Sequence, residues 1–238
     1  MRAWLVLLIC SLSIAIPLAW HAYRCEISFK NVGCIYNNFM FHWNAHKNVA
    51  DTPLKQLPST AEGRLVVLNK ITPTTFHHVI QLFKNPHCSD FFFMEQNSTQ
   101  VPVYDYIEFL YEEYFIQLFG KMVIYTVTDK KTNQISGLIN LRDEIDENTQ
   151  ERKFILGGLA TPAVWGKGLS QDTMMILAQL FFKHTTQDAL TAETSPYNGR
   201  CATYLLKCGF EHSHITPTNS LAFKFTRNQF AHALSLAS

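Results

Sequence analysis

The chain reads as an α+β protein built on a mixed, mostly antiparallel sheet, and two observations predict this. First, three strand-like runs follow one another: Met122 to Thr128, Gln134 to Arg142 and Lys153 to Ala160. Polar turns separate them, and spacing of that kind makes an antiparallel meander. Second, the third run passes through a glycine turn into an apolar helical run, Leu169 to His184, and then into a strand at Ala189 to Thr194. A strand–helix–strand crossover leaves its two strands parallel.

The remaining elements follow in order. Residues 3–20 are almost wholly apolar, broken by Ser11, Ser13 and Pro17 and preceded by Arg2. Their length lies at the boundary between a signal peptide and a membrane span. Three readings stay open. Arg24, Lys30 and Lys47 after the run favour an anchor with the rest of the chain facing the cytoplasm. Pro17 and Trp20 make poor partners for a small-residue cleavage site in a signal peptide. Translation from Met40 would make the run an extension. The stretch from 23 to 62 has no clean period and contains Pro53 and Pro58, so it reads as a linker or arm. The folded domain is expected over 63–230, with a tail at 231–238.

Within that domain Arg64 to Asn69 reads as a strand. Thr72 and Pro73 are the N-cap and first position of a helix whose apolar face is Phe76, Val79, Ile80 and Phe83. His77 and His78 sit on it as solvated or capping groups. A loop with Phe91-Phe92-Phe93 leads to a second helix, Tyr104 to Phe119. Asp105, Glu108, Glu112 and Glu113 give that helix an acidic face, either solvated or a rim that attracts a cationic amine. Beyond Thr194, Ser195 to Asn198 is a turn, and Tyr197 or Asn198 caps a helix from Gly199 to Lys207. Gly209 ends it at C′. A short strand starts at Phe210-Glu211, and Leu221 to Thr226 is the last strand.

Composition narrows the function. The 238 residues are 47% hydrophobic with a net charge of +1, which gives no reason to invoke nucleic acid. Eighteen phenylalanines predict an aromatic-rich core. No CxxC pair or metal-ligand cluster appears, so no metal is expected. Cys201 and Cys208 lie about two helical turns apart on one face, too far for a disulfide, and read as buried thiols. Cys25 and Cys34 would pair only in an exported chain.

The turn between the third strand and the long helix carries the chemistry. Gly166 and Gly168 flank Lys167 immediately before the helix start. Glycine allows unusual dihedrals and close approach of a ligand, and a helix N-terminus presents free N–H groups with a positive dipole end. Together they make a phosphate cradle.

Ala163-Val164-Trp165-Gly166-Lys167-Gly168 resembles the Gln/Arg-x-x-Gly-x-Gly/Ala signature of the GNAT superfamily of acetyl-CoA-dependent N-acetyltransferases. Ala163 departs from it at the first position. Asn198 followed eleven residues later by Gly209-Phe210 is similar to a second element of that family. Gly157 to Gly168, with Pro162 in register and Gly158 in place of an aromatic, resembles the subgroup that acetylates ribosomal-protein N-termini, the RimJ/RimL type. The resemblance covers Arg64 to Arg227. It implies helices on both faces of the sheet, in three layers, and a central parallel pair that splays apart.

The resemblance also implies roles. The pantetheine arm of acetyl-CoA would lie along the strand edge at Leu159, Ala160 and Thr161. The pyrophosphate would sit on N–H groups of Val164, Trp165, Gly166, Lys167, Gly168 and Leu169. Ser170 would donate to a phosphate oxygen, and Asn198 would touch the cofactor or fix the strand end. The acceptor is expected to be a primary amine, with a protein N-terminal α-amine first and a small molecule as the alternative. Direct attack on the thioester needs a neutral amine, an oxyanion donor and an acid for the thiolate. The N–H near Ala160 fits the oxyanion. Many relatives place a tyrosine where this chain has Leu205, so Tyr197, Ser195 and Tyr204 are candidate acids. Glu193 and Glu144 are candidate bases. Because acetyl-CoA is a cytosolic metabolite, the expected location is the cytoplasm, free or membrane-anchored. A GNAT-fold sensor or adaptor without catalysis is the alternative function.

Overall fold

The computed structural model describes residues 52–89, 103–145 and 151–237. Residues 3–20, Met40, Cys10, Cys25, Cys34 and the Phe91-Phe92-Phe93 run lie outside them. Among the described residues, no helix is long and apolar enough to cross a membrane.

Eight strands form one sheet, ordered β1-β2-β3-β4-β5-β6-β8-β7. They are β1 (Thr60–Glu62), β2 (Val66–Lys70), β3 (Met122–Asp129), β4 (Gln134–Ile145), β5 (Arg152–Ala160), β6 (Ala189–Thr194), β7 (Glu211–Ile215) and β8 (Leu221–Thr226). Every pairing is antiparallel except β5 with β6. The meander and the crossover take the places expected of them. The helices are α1 (Phe76–Phe83), α2 (Pro86–Ser89), α3 (Val103–Leu118), α4 (Leu169–His184), α5 (Gly199–Lys207) and α6 (Arg227–Ala237).

The strand alternation sorts side chains to two faces. Val123, Tyr125, Val127, Ile139 and Leu141 point into one core, shared with Leu177 and Phe181 of α4, Leu205 of α5 and Phe230 of α6. Met122, Ile124 and Leu138 point into the other, shared with Phe76, Val79 and Phe83 of α1 and Leu110 and Tyr111 of α3. Helices therefore cover both faces, in three layers. The first core is aromatic-rich as expected: Phe154 packs on Phe181 (5.1 Å), Phe181 on Phe182 (5.2 Å) and Phe210 on Phe225 (5.0 Å). Edge-to-face and offset pairs of this kind add about 1 kcal/mol each beyond area burial.

The ordered fold extends past both expected boundaries. Within the segment read as a linker, Leu54 and Leu57 are buried beside a 3-10 turn (Pro53–Gln56), and β1 pairs with β2. Two leucines spaced by a short turn give too brief a period to read as structure; burial against the sheet defines them. The segment read as a tail belongs to α6, which packs Phe230 on Phe182 and Phe225. Arg227 at its start donates to the carbonyls of Phe182, Thr185 and Gln187, closing the end of α4. β4 also runs three residues further than expected, to Ile145. Its Asp143 is buried because Arg152 holds it from the next strand (Nε to Oδ1, 2.7 Å).

Candidate active site

β5 is paired to β4 along its whole length, from Gly137↔Ala160 to Ile145↔Arg152. On its other edge it meets β6 only at Ile155↔Thr191 and Leu156↔Ala192. Both strands continue beyond that point, so the sheet opens between them from Gly157 onward. The Thr191 hydroxyl, donating to the Phe154 carbonyl (2.9 Å), fastens the closed end.

The alternation of backbone groups decides which residues face the opening. The Thr161 N–H donates to the Ser136 carbonyl on the β4 side (2.9 Å). Counting back by twos, Leu159 also faces β4, while Gly158 and Ala160 turn their N–H and C=O groups into the opening. Of Leu159, Ala160 and Thr161, expected along the cofactor edge, Ala160 alone faces the opening, and Gly158 faces it as well. The Ala160 carbonyl receives the Trp165 indole N–H (2.9 Å), and the buried Cys88 thiol lies 3.8 Å from it.

At the mouth of the opening the chain makes a 3-10 turn (Pro162–Val164) and then enters α4 through Gly166 and Gly168. Both glycines have positive φ, 73° and 80°. A Cβ at Gly166 would meet nothing within 4 Å, and one at Gly168 would only reach Leu65 at 3.6 Å. The backbone dihedral, and not space, demands glycine there. Within the turn the N–H groups of Val164, Trp165 and Lys167 donate to the carbonyls of Thr161, Pro162 and Val164. These three N–H groups, expected in the phosphate cradle, are engaged within the turn. The N–H groups of Gly166 and Gly168 and those of Leu169, Ser170 and Gln171 at the start of α4 remain for a ligand, because the first turn of a helix has no internal acceptors. Asp172 would oppose an anion here, but its carboxylate is held by the backbone N–H groups of Arg64, Leu65 and Val66 (3.2, 2.7 and 3.1 Å). That clamp ties the start of β2 to the first turn of α4.

The far lip of the opening is the N-terminus of α5. Asn198 caps it, its Oδ1 accepting from the Cys201 N–H (3.1 Å). Gly209 follows with φ 91°. Arg200 lays its guanidinium on the Trp165 ring at 3.8 Å, joining the two lips.

The candidate acids differ in their settings. Tyr197 is 82% exposed. The Ser195 hydroxyl accepts from the Tyr197 N–H (3.2 Å) in the turn. The Tyr204 hydroxyl donates to the Ser170 carbonyl (2.8 Å), tying α5 to α4. Burial, with Cys208 and Cys201 beside it, holds that phenol well above its ordinary range, which makes it a reluctant proton donor. Leu205 is buried in the core. Each candidate base lies near a cation: Glu193 is exposed, 4.0 Å from Lys153, and Glu144 lies 3.8 Å from Arg142.

One carboxylate of the supposed acidic face is placed differently. Glu113 is buried, and Arg142 donates to its Oε1 at 2.9 Å. Helical spacing put it beside residues at solvated positions; the Arg142 partner on β4 was invisible in a one-dimensional pattern. The side chains of Asp105, Glu108 and Glu112 lie outside the described ones. His77 and His78 are exposed, their rings tilted against each other with centroids 3.7 Å apart, and no group of three metal-ligating side chains occurs among the described residues.

Residues 65–211 match the family model described as an acetyltransferase (GNAT) domain. The chain belongs to that family. A search of the curated proteins finds no match. Among solved structures it is similar to apo FdhC, a nucleotide-linked sugar GNAT: 12% identity over 75% of this chain and 96% of that one, TM-score 0.60. It is also similar to AAC(6')-Ib in complex with ribostamycin and coenzyme A: 17% identity, 70% and 96% covered, TM-score 0.58. A third is spermidine N-acetyltransferase from Vibrio cholerae in complex with CoA and spermine: 14% identity, 70% and 98% covered, TM-score 0.56.

Proposed function

We propose that this chain transfers an acetyl group from acetyl-CoA to a primary amine by direct attack on the thioester. The observation that carries this reading is the one-sided opening of β5 with the positive-φ glycine turn at its mouth. Pyrophosphate would lie on the N–H groups of Gly166, Gly168, Leu169 and Ser170, with the α4 dipole behind them. Pantetheine would run along Gly158 and Ala160. The thioester carbonyl would take an N–H there as its oxyanion donor, where preorganised dipoles contribute most.

Two solved relatives support an amine acceptor: one was solved with the aminoglycoside ribostamycin, the other is a spermidine N-acetyltransferase with spermine. For this chain a protein N-terminal α-amine is the acceptor to test first, on the resemblance of Gly157 to Gly168 to the ribosomal-protein subgroup. Tyr204, engaged at the Ser170 carbonyl, has no acid role in this reading. Tyr197 and Ser195 stay the candidate acids for the coenzyme thiolate, and Glu193 and Glu144 the candidate bases that take the amine's proton. The donor places the reaction in the cytoplasm, and membrane attachment through residues 3–20 is a separate proposal for fractionation.

A second reading, an acetyl-CoA-binding sensor or adaptor, is favoured by the engaged Tyr204 hydroxyl and the buried Leu205. Thiol release from acetyl-CoA with a panel of amines and peptides separates the two. Release with acetylated product supports the transferase; tight binding without release supports the sensor.

A further inference from the structure

One side chain bridges the mouth of the opening. The Trp165 indole N–H donates to the Ala160 carbonyl at 2.9 Å, and Ala160, with Gly158, is what β5 turns toward the opening. From the far lip, Arg200 at the start of α5 lays its guanidinium on the same ring at 3.8 Å. The ring therefore stands between β5 and α5, across the entrance. His87 of α2 meets it edge-on, with centroids 6.5 Å apart, and the Cys88 thiol lies 3.8 Å from the carbonyl that the indole holds. The ring is half-buried and its partners Arg200 and His87 are exposed, so it can swing aside without unpacking the sheet.

We infer that Trp165 is a gate which the pantetheine arm has to open, with Arg200 as its latch. The inference rests on the reading that the opening holds acetyl-CoA. A pantetheine amide that reaches Ala160 needs the carbonyl the indole occupies, from the side the ring fills. Exchanging one neutral hydrogen bond for another gains little, and the cation–π contact with Arg200 is given up as well. The nucleotide half of the coenzyme meets no such obstacle. Its pyrophosphate is offered the N–H groups from Gly166 to Ser170, and the indole, a donor itself, uses none of them. The gate thus opposes the arm and not the nucleotide. No covalent bond changes in this step; it precedes transfer.

The test is calorimetry and tryptophan fluorescence on the full chain, with acetyl-CoA and with adenosine 3′,5′-bisphosphate, which shares the nucleotide half and lacks the arm. Trp165→Phe keeps an aromatic ring and removes the N–H. It should bind acetyl-CoA about fivefold more tightly than wild type, with its affinity for the bisphosphate unchanged. Arg200→Lys keeps the charge and loses the flat guanidinium, and should tighten acetyl-CoA binding about threefold. Acetyl-CoA, and not the bisphosphate, should shift the Trp165 emission. That emission is the difference between wild type and Trp165→Phe, which retains Trp4, Trp20 and Trp43. Equal or weaker acetyl-CoA binding in Trp165→Phe overturns the gate alone. So does a Trp165 emission that acetyl-CoA leaves unmoved, or a gain in affinity shared equally by the bisphosphate. Wild-type affinity in Arg200→Lys overturns the latch. Failure of both ligands to bind wild type and variants overturns the donor reading along with the gate.

Discussion

The two edges of β5 have opposite fates. Against β4 the strand is zipped from end to end, with Gly137, Gly157 and Gly158 letting the backbones and Asn140 close in where a Cβ would collide at 2.4 to 2.7 Å. Against β6 it holds for two residues and then parts. The zipped edge fixes the position of every group on the strand; the open edge leaves Gly158 and the Ala160 N–H facing the opening, while the Ala160 carbonyl is taken by the Trp165 indole. A rigid strand with one unpaired edge is a preorganised row of donors and acceptors. The comparison teaches that the site is made by omission of pairing, on a scaffold whose other side permits no slack.

The largest way to break this contrast is at the mouth of the opening. Gly166→Val or Gly168→Val forces a β-branched residue to positive φ, at about 1–2 kcal/mol, and displaces the N–H groups. Acetyl-CoA affinity should fall on the order of 100-fold, read by calorimetry. The far-ultraviolet circular dichroism should be unchanged, since neither site is packed. Unchanged affinity would remove the turn from the site.

Next in size is the clamp behind the turn. Asp172→Ala strands three backbone N–H groups, and losing these charge-assisted bonds should cost roughly 3 kcal/mol. Thermal melting should drop by about 6–12 °C. Coenzyme affinity should weaken less than in the glycine variants, because the N–H groups at the mouth keep their dihedrals.

A third effect comes from the buried groups under α5. Burial pushes the Cys208 thiol up to about 11 from 9.0, and the Cys201 thiol and Tyr204 phenol are raised with it. These groups hold their protons more tightly folded than unfolded. For Cys208 the stabilisation is therefore complete below pH 9 and is lost as pH rises toward 11, and the Tyr204 contribution is lost only at higher pH still. For Cys208 the loss is roughly 2 kcal/mol, visible as a falling melting temperature over that window. Cys208→Ala should flatten the fall.

The smallest effects sharpen the assignment of the lips. Tyr204→Phe removes the hydrogen bond to the Ser170 carbonyl and should lower stability by about 1 kcal/mol, with kcat within about twofold of wild type. A large loss of kcat at unchanged KM would instead make Tyr204 the acid.

Much of the fold was legible because its signals are local. Leu169–His184, Ala189–Thr194, Gly199–Lys207 and Leu221–Thr226 have the limits read from periodicity and caps. The cofactor turn was legible for the same reason: Gly166 and Gly168 advertise positive φ. What escaped depends on contacts between distant residues. Which of Leu159 and Ala160 faces the opening depends on β4's register. The burial of Glu113 depends on Arg142, and the fastening of Tyr204 depends on Ser170. The N-terminal end of the fold escaped because a strand of three residues and one short 3-10 turn carry no period, and their burial comes from the sheet they join.

The central claim is that the open edge of β5 holds a donor whose acetyl group passes to an amine. Its most direct test incubates the full chain with acetyl-CoA and candidate amines, including N-terminal peptides, and follows product mass and free thiol together. The account predicts a gain of one acetyl group on an acceptor, matched by one free CoA thiol, and loss of both in Gly166→Val. Thiol release that persists in Gly166→Val, or tight acetyl-CoA binding with no acetylated amine, would contradict it.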